Sequence, residues 1–299
     1  MKIMLSGACG SIFHSYFNYI KDMGIDVIGI DIRANQFTKD FLGDNFLKSP
    51  SAAKNPKLYI NFLEKNIHKF DFFFPYSDEE LIALSHLPKE SSLRRKIIIS
   101  RESSINICDD KGSFYNFALE NNIPTPTDSN AIEKIIKPVV GRGGRNIFRV
   151  SDKKMISPFR SSSDWLVSDY ISGDEYSVDT VSDGKGSVLD SIARLRIVTK
   201  GVSIESKIDM NKKVINLAES IVSKLFIFGP ANVQIIQENE TKNLYVIEVN
   251  PRLSGGAIFS ALGGMDMIQV TLDYINNKSN VNAIKNDGEY YYRYWCNTI

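Results

Sequence analysis

The sequence predicts an α/β domain of about a hundred residues followed by a larger α+β domain. Two changes of texture carry this. As far as Ser100, short apolar runs alternate with helical periodicity, the pattern of a parallel sheet with helices on its faces. Beyond it, polar and apolar residues alternate in strand-like stretches joined by glycine and serine turns. The division falls at residues 1–103 and 104–299, and 43% hydrophobic residues are enough for sizeable cores.

Taken in order, Lys2 to Ser6 reads as a buried strand, and Ser11 can cap a helix carrying Ile12, Tyr16, Ile20 and Met23 on one face. Val27 to Ile30 is a second strand, ended by Asp31. Leu58 to Ile67 is helical, Asp71 to Pro75 a short strand, Asp78 to Leu87 a helix and Lys96 to Ser100 another strand. Asp109 to Gly112 lead into an aromatic helix, Phe114 to Glu120, and Pro124 and Pro126 stiffen the connection after it. From Ala131 onward short strands are expected, with one clear helix over Asn211 to Phe226, whose Val214, Leu217, Ala218, Ile221, Val222 and Leu225 form an apolar stripe.

Lys and Arg total 36 against 35 Asp and Glu, a net charge of +1, which gives no electrostatic reason to expect nucleic acid or a membrane surface as partner. No apolar run is long enough for a transmembrane helix, and the N-terminus turns into a glycine loop unlike a signal peptide. Cys9, Cys108 and Cys296 lack metal spacing, and a reducing cytoplasm fits them best. His14, His68 and His86 all fall in the first domain and read as structural or surface residues.

The chemistry concentrates between Asn232 and Gly256. Asn232 to Gln237 and Tyr245 to Asn250 both alternate, and Glu238 to Leu244 is polar enough for a hairpin loop. Antiparallel pairing around Thr241 sets Gln234 opposite Glu248 and Asn232 opposite Asn250. Such a cluster of hard oxygen ligands suits magnesium; an ordinary amphipathic hairpin would carry the same alternation. Pro251 ends the strand, Arg252 offers a planar fork to a carboxylate or phosphate, and Gly255 and Gly256 let backbone N–H groups approach an anion. Upstream, Lys137 precedes a glycine-rich turn, Gly141-Arg142-Gly143-Gly144-Arg145, which is either a phosphate-covering flap or a plain hairpin turn. Leu166 to Asp179 is a strand, a turn and a second strand, which either is structural or offers backbone groups to an adenine edge with Glu175 free for ribose hydroxyls.

The order of these features, Lys111, Lys137 with its glycine flap, the Asp169 to Glu175 hinge, then Gln234, Glu248, Asn250 and Arg252, resembles the ATP-grasp superfamily. It looks closest to the carbamoyl-phosphate-synthase-like branch of carboxylate–amine ligases, whose metal strand reads Glu-hydrophobic-Asn-Pro-Arg. The resemblance covers residues 105 to 275, and residues 114–170 would form the smaller lid subdomain. It makes the first hundred residues the family's N-terminal α/β, Rossmann-like (pre-ATP-grasp) domain. It implies that Lys111 and Lys137 contact ATP phosphates under a cover of Gly141, Gly143, Gly144 and Arg145. Asp169 and Ile171 would meet adenine through their backbones and Glu175 the ribose, although Ser168 stands where the hinge usually has Glu or Gln. Gln234, Glu248 and Asn250 would hold magnesium (or manganese), and Arg252, with Lys137, would serve the transfer itself.

The activity so implied joins a small-molecule carboxylate to an amine or similar nucleophile through an acyl phosphate, releasing ADP and phosphate, with a homodimer left open. Two rivals stand beside it. Gly7 to Gly10 after a strand, with Asp31 after the next, is a partial dinucleotide fingerprint of a nicotinamide-dependent oxidoreductase. A non-catalytic ATP-binding module would keep the fold alone.

Overall fold

The computed structural model describes residues 1–10, 12–141, 146–278 and 284–294. Gly143, Gly144 and Arg145 of the glycine loop, the Ser11 cap and Cys296 lie outside them. The chain begins β1 (Lys2–Ser6), α1 (Phe13–Asp22), β2 (Asp26–Asp31), α2 (Gln36–Leu42), β3 (Phe46–Lys48), α3 (Pro56–Lys65), β4 (Phe72–Phe74) and α4 (Asp78–Ser85). The four strands form a sheet in the order β3-β2-β1-β4; that it is parallel is what the alternation predicts, while the three-residue β3 was not foreseen. Lys96 to Ser100 departs from expectation. It makes a single bridge, Ile97 to Phe73, rather than a ladder. Ile97 and Ile99 bury into one core and Ile98 into another, so side-chain burial on both sides fixes the run.

Next come α5 (Glu102–Asp109), α6 (Lys111–Glu120), β5 (Lys134–Pro138), β6 (Phe148–Val150), α7 (Lys153–Arg160) and β7 (Trp165–Asp169). β6, β5 and β7 make a small antiparallel sheet whose core is Ile136, Ile156 and Val167. Phe114 and Ala118 of α6 pack elsewhere, in the core beneath the large sheet.

That sheet is built from β8 (Gly173–Asp183), β9 (Val188–Lys200), β10 (Val202–Ile208), β11 (Phe228–Glu238), β12 (Leu244–Asn250) and β13 (Tyr290–Tyr292). Three helices accompany it: α8 (Lys212–Lys224), α9 (Ala257–Leu262) and α10 (Met267–Ile275). Only α8 was expected. α9 and α10 bury most of their residues, so no polar stripe reveals them, and α7 contains Pro158 and buries only Ile156. The strands are not short either: β8 and β11 have 11 residues each and β9 has 13. α9 and α10 fill the space between the two larger sheets, where Ile258, Phe259, Ile268 and Leu272 meet Leu5 and Phe17 on one side and Val181 and Ile192 on the other. Among the described residues no helix is long and apolar enough to cross a membrane.

Candidate active site

One face of the large sheet is polar, and strand register explains why. Glu248 lies opposite Gln234, Gln234 opposite Ser177, and Ser177 opposite Arg194, a single row across β12, β11, β8 and β9. The neighbouring row holds Asn250, Asn232 and Asp179. Opposed residues share a face. The residues between them, Val249, Val233, Val178 and Ala193, turn the other way into the core under α8. The pairings predicted for the hairpin are therefore present, but by a different route. The ladder slips between Gln234 and Ile235, because Ile235 pairs with Val246 and leaves Ile247 as an extra residue. This β-bulge matters. Along an unbroken strand Val246 and Glu248 would share a face, and the carboxylate would enter the core. With the bulge, Val246 and Val249 are both buried while Ile247, Glu248 and Asn250 line a cleft of ≈ 680 Å³.

The bulged Ile247 carbonyl accepts from Lys137 Nζ at 3.4 Å. Lys137 is a buried ammonium on β5, and burial, opposed by Glu248 and reinforced by Lys111, pulls its pKa down to about 8. Lys111 opens α6, after the Asp110 cap. A cation there faces the positive end of a helix, so the helix itself gains nothing from it. Its Nζ donates to the Gly141 carbonyl at 2.7 Å and stands 3.8 Å from Glu248. Gly141 thus touches the site through its carbonyl.

Arg252 is held by a residue of the first sheet's region. Its Nε and Nη2 donate to Asp78 at 2.6 and 3.1 Å, a bidentate pair, and Nη2 also donates to Asn250 Oδ1 at 3.0 Å. Asp78 is placed by a capping box: Ser77 accepts from the Glu80 N–H, and the Glu80 carboxylate accepts from the Ser77 N–H at 3.0 Å. Beneath the loop after Arg252, the fully buried Arg194 pairs with Asp179 at 2.9 Å and donates to Ser254 and Ser260. A Cβ on Gly256 would lie 2.2 Å from its Nη1, so only glycine lets the loop close over this guanidinium. Asn232, expected to add an amide to the metal face, instead donates to Asp179 and Ser177, each at 2.7 Å.

At the other end Glu175 is ion-paired with Arg196, and Asp169 accepts from Lys134 and Ser129. The Asp169 N–H donates to the Thr127 carbonyl at 2.8 Å, so that backbone donor is already engaged. For Ile171, among the described residues, no backbone partner is found for either group.

The cleft therefore brings together Lys111, Lys137, Asp169, Ile171, Glu175, Gln234, Glu248, Asn250 and Arg252. Ile12, Tyr76 and Val202 also line it and were not foreseen. They come from a turn, a loop and the first residue of β10, three separated stretches of the chain, and no local spacing signals such a convergence.

Residues 108–256 match the ATP-grasp domain family. The carbamoyl phosphate synthase large chain of Clostridium acetobutylicum is 28% identical over 62% of this chain, and the match spans 20% of that much longer relative. Among solved structures, an L-amino acid ligase from Bacillus licheniformis superposes with a TM-score of 0.68 at 17% identity, covering 91% of this chain and 73% of the other. The biotin carboxylase domain of Hydrogenobacter thermophilus 2-oxoglutarate carboxylase, solved with MgADP and bicarbonate, gives 0.67 at 15% identity, covering 97% and 73%. At such identities the structures speak for the fold. Together with the sequence matches they establish that this chain carries an ATP-grasp domain and is a homologue of carbamoyl phosphate synthase large chains.

Proposed function

We propose that this chain is an ATP-dependent carboxylate–amine ligase that works through an acyl phosphate. One observation carries the reading: two lysines, a carboxylate with two carboxamides, and an arginine from distant parts of the chain converge in one cleft. A buried, weakly paired ammonium such as Lys137 is unfavourable unless an anion comes to meet it, and a phosphate fits that need. Lys137 and Lys111 would hold the terminal phosphates, with Gly141, Gly143, Gly144 and Arg145 covering them. Asp169 and Ile171 would meet adenine, and Glu175 the ribose. Glu248, Gln234 and Asn250 offer one carboxylate and two amide oxygens on one face, a donor set that suits magnesium or manganese completed by phosphate oxygens. The metal, when bound, neutralises phosphate charge.

A carboxylate oxygen is a poor leaving group, so an amine cannot displace it at a useful rate. Phosphorylation corrects this. The carboxylate oxygen attacks the γ-phosphorus and ADP leaves; the amine then attacks the acyl carbon and phosphate leaves with that oxygen. Lys111, Lys137 and Arg252 would position the reactants and offset charge along this line. With the carboxylate labelled in heavy oxygen, one label should reach inorganic phosphate and the nucleotide product should be ADP. Stoichiometric AMP and pyrophosphate with unlabelled phosphate would refute the acyl phosphate route.

A further inference from the structure

The parallel sheet reaches the cleft through one short stretch, residues 76–78, between β4 and α4. A buried carboxylate holds that stretch. Glu80 is 7% exposed. Its Oε2 accepts from the Ser77 and Tyr76 N–H groups at 3.0 and 3.1 Å and from Ser6 Oγ at 2.5 Å, and its Oε1 accepts from Tyr59 Oη at 2.6 Å. Ser6 Oγ in turn accepts from the same Tyr76 N–H at 2.8 Å. A capping box needs only the Ser77 bond. The others tie residues 76–78 to the end of β1 and to α3. A charge so buried and so fully engaged cannot shift without leaving charge-assisted bonds unmade, which makes the stretch stiff.

Residues 76–78 in turn hold the turn that follows β12. Tyr76 Oη donates to the Ser254 carbonyl at 3.0 Å, the carbonyl that also accepts from the Ala257 N–H at 3.2 Å where α9 begins. Burial pushes the Tyr76 pKa up to about 12, although Arg252, Arg293 and Arg194 pull it down, so the hydroxyl stays a donor at neutral pH. Asp78 grips the Arg252 fork. We infer that Glu80 is a positioning residue for the acid: by fixing residues 76–78 it sets, from the parallel sheet, where Arg252 and the Ser254–Gly256 turn of the large sheet stand. The inference rests on the ligase reading, in which Arg252 serves the transfer. On that reading the nucleotide's contacts lie elsewhere. Among the described residues, no hydrogen bond joins Glu80 or Tyr76 to Lys111, Lys137, Asp169 or Glu175. Loss of the Glu80 cluster should therefore be felt by the acid and not by ATP.

The test compares Glu80→Ala, Glu80→Gln and Tyr76→Phe with the wild type. ADP release is followed with ATP, magnesium and hydroxylamine as acceptor, and with acetate, L-alanine, L-glutamate or bicarbonate as acid. Binding of a non-hydrolysable ATP analogue with magnesium is measured separately. Glu80→Ala should lower kcat/KM for the best of these acids by about tenfold to a hundredfold, while affinity for the analogue stays within about threefold. Glu80→Gln should recover most of the loss, because its amide oxygen still accepts from the Tyr76 and Ser77 N–H groups and its NH2 group can donate to Tyr59. Amide exchange should quicken at residues 252–257 in Glu80→Ala and in Tyr76→Phe. Tyr76→Phe leaves the Glu80 cluster whole, and it decides if the alanine variant does not fold. A merely structural glutamate would weaken the acid and nucleotide terms together, or loosen only β1, α3 and α4. Either result would overturn the inference and leave the ligase reading standing. ADP release stimulated by none of the acids would overturn the ligase reading and this inference with it.

Discussion

The two halves of the cleft are built to different standards. The floor is the polar face of β8, β9, β11 and β12, four long strands whose other face is covered by α8 and its core. The lid is the small β6-β5-β7 sheet, whose core is Ile136, Ile156 and Val167, while Ile132, Ile147 and Phe148 remain exposed. Gln234, Glu248 and Asn250, assigned to the metal, stand on the floor; Lys137 stands on the lid. Position is thus held where many ladders cooperate, and motion is cheap where little apolar surface would be lost. On the proposed function, a nucleotide entering between them would meet a well-braced floor and a smaller sheet whose displacement would expose little apolar surface.

The largest effect should come from the floor. Glu248→Ala should lower turnover at least about a thousandfold, over 4 kcal/mol of barrier, while the melting temperature stays close to wild type. ADP release at saturating magnesium measures it. Activity within about threefold of wild type, a change below about 1 kcal/mol, would break the assignment of Glu248 to the metal.

Lys137 links lid to floor and gives the next largest effect. Its pKa is down at about 8 in the folded, nucleotide-free protein, against an ordinary lysine value of 10.5 when unfolded. Lys137 is therefore charged below pH 8 and loses its proton as pH rises through that value. kcat/KM for ATP should fall on the alkaline side with an inflection near there, because the free protein sets that profile. Stability moves the other way. Between about pH 8 and 10.5 the unfolded chain binds the extra proton, so this group makes stability rise with pH. Lys137→Met should then abolish most turnover yet stabilise the nucleotide-free protein at pH 7, by up to about 3 kcal/mol. Thermal unfolding without nucleotide checks it, and a less stable variant would contradict the picture of a poorly paired buried cation.

The contrast between floor and lid also marks what the sequence discloses. The alternation of Asn232 to Gln237 and Tyr245 to Asn250 is a local pattern, and it is enough to set Gln234 opposite Glu248. The bulge at Ile247 is not local. It resolves a conflict between Val246, which belongs in the core, and Glu248, which does not, and that conflict exists only once the core does. Asp78 and Arg252 are 174 residues apart, and their pairing depends on how the two sheets meet around α9 and α10. Those helices are themselves hidden by burial on nearly every side. Of the parallel sheet, by contrast, β1, β2 and β4 were legible, whereas the three-residue edge strand β3 is too short to show a pattern, and at Lys96 to Ser100 an apolar run imitates a ladder strand.

The smallest effect sharpens the comparison through packing alone. Val233 on the floor and Ile136 on the lid are both 0% exposed, so burial by itself predicts similar losses on truncation. Their surroundings differ. Val233 packs in the core that joins β8, β9, β11, β12 and α8, whereas Ile136 has Ile156 and Val167, with Val150, Phe159 and Trp165 at the margin. Val233→Ala should lower the global unfolding free energy by about 1–3 kcal/mol, because its cavity lies in the unit that unfolds last. Ile136→Ala removes more hydrocarbon but loosens only the lid, so it should move the global transition by less than about 1 kcal/mol. Its cost should appear instead as faster amide exchange confined to β5, β6 and β7 and as a raised KM for ATP. Denaturant melts read against hydrogen exchange separate the two. Equal global losses would mean that lid and floor unfold as one unit, and the division of labour drawn here would fail.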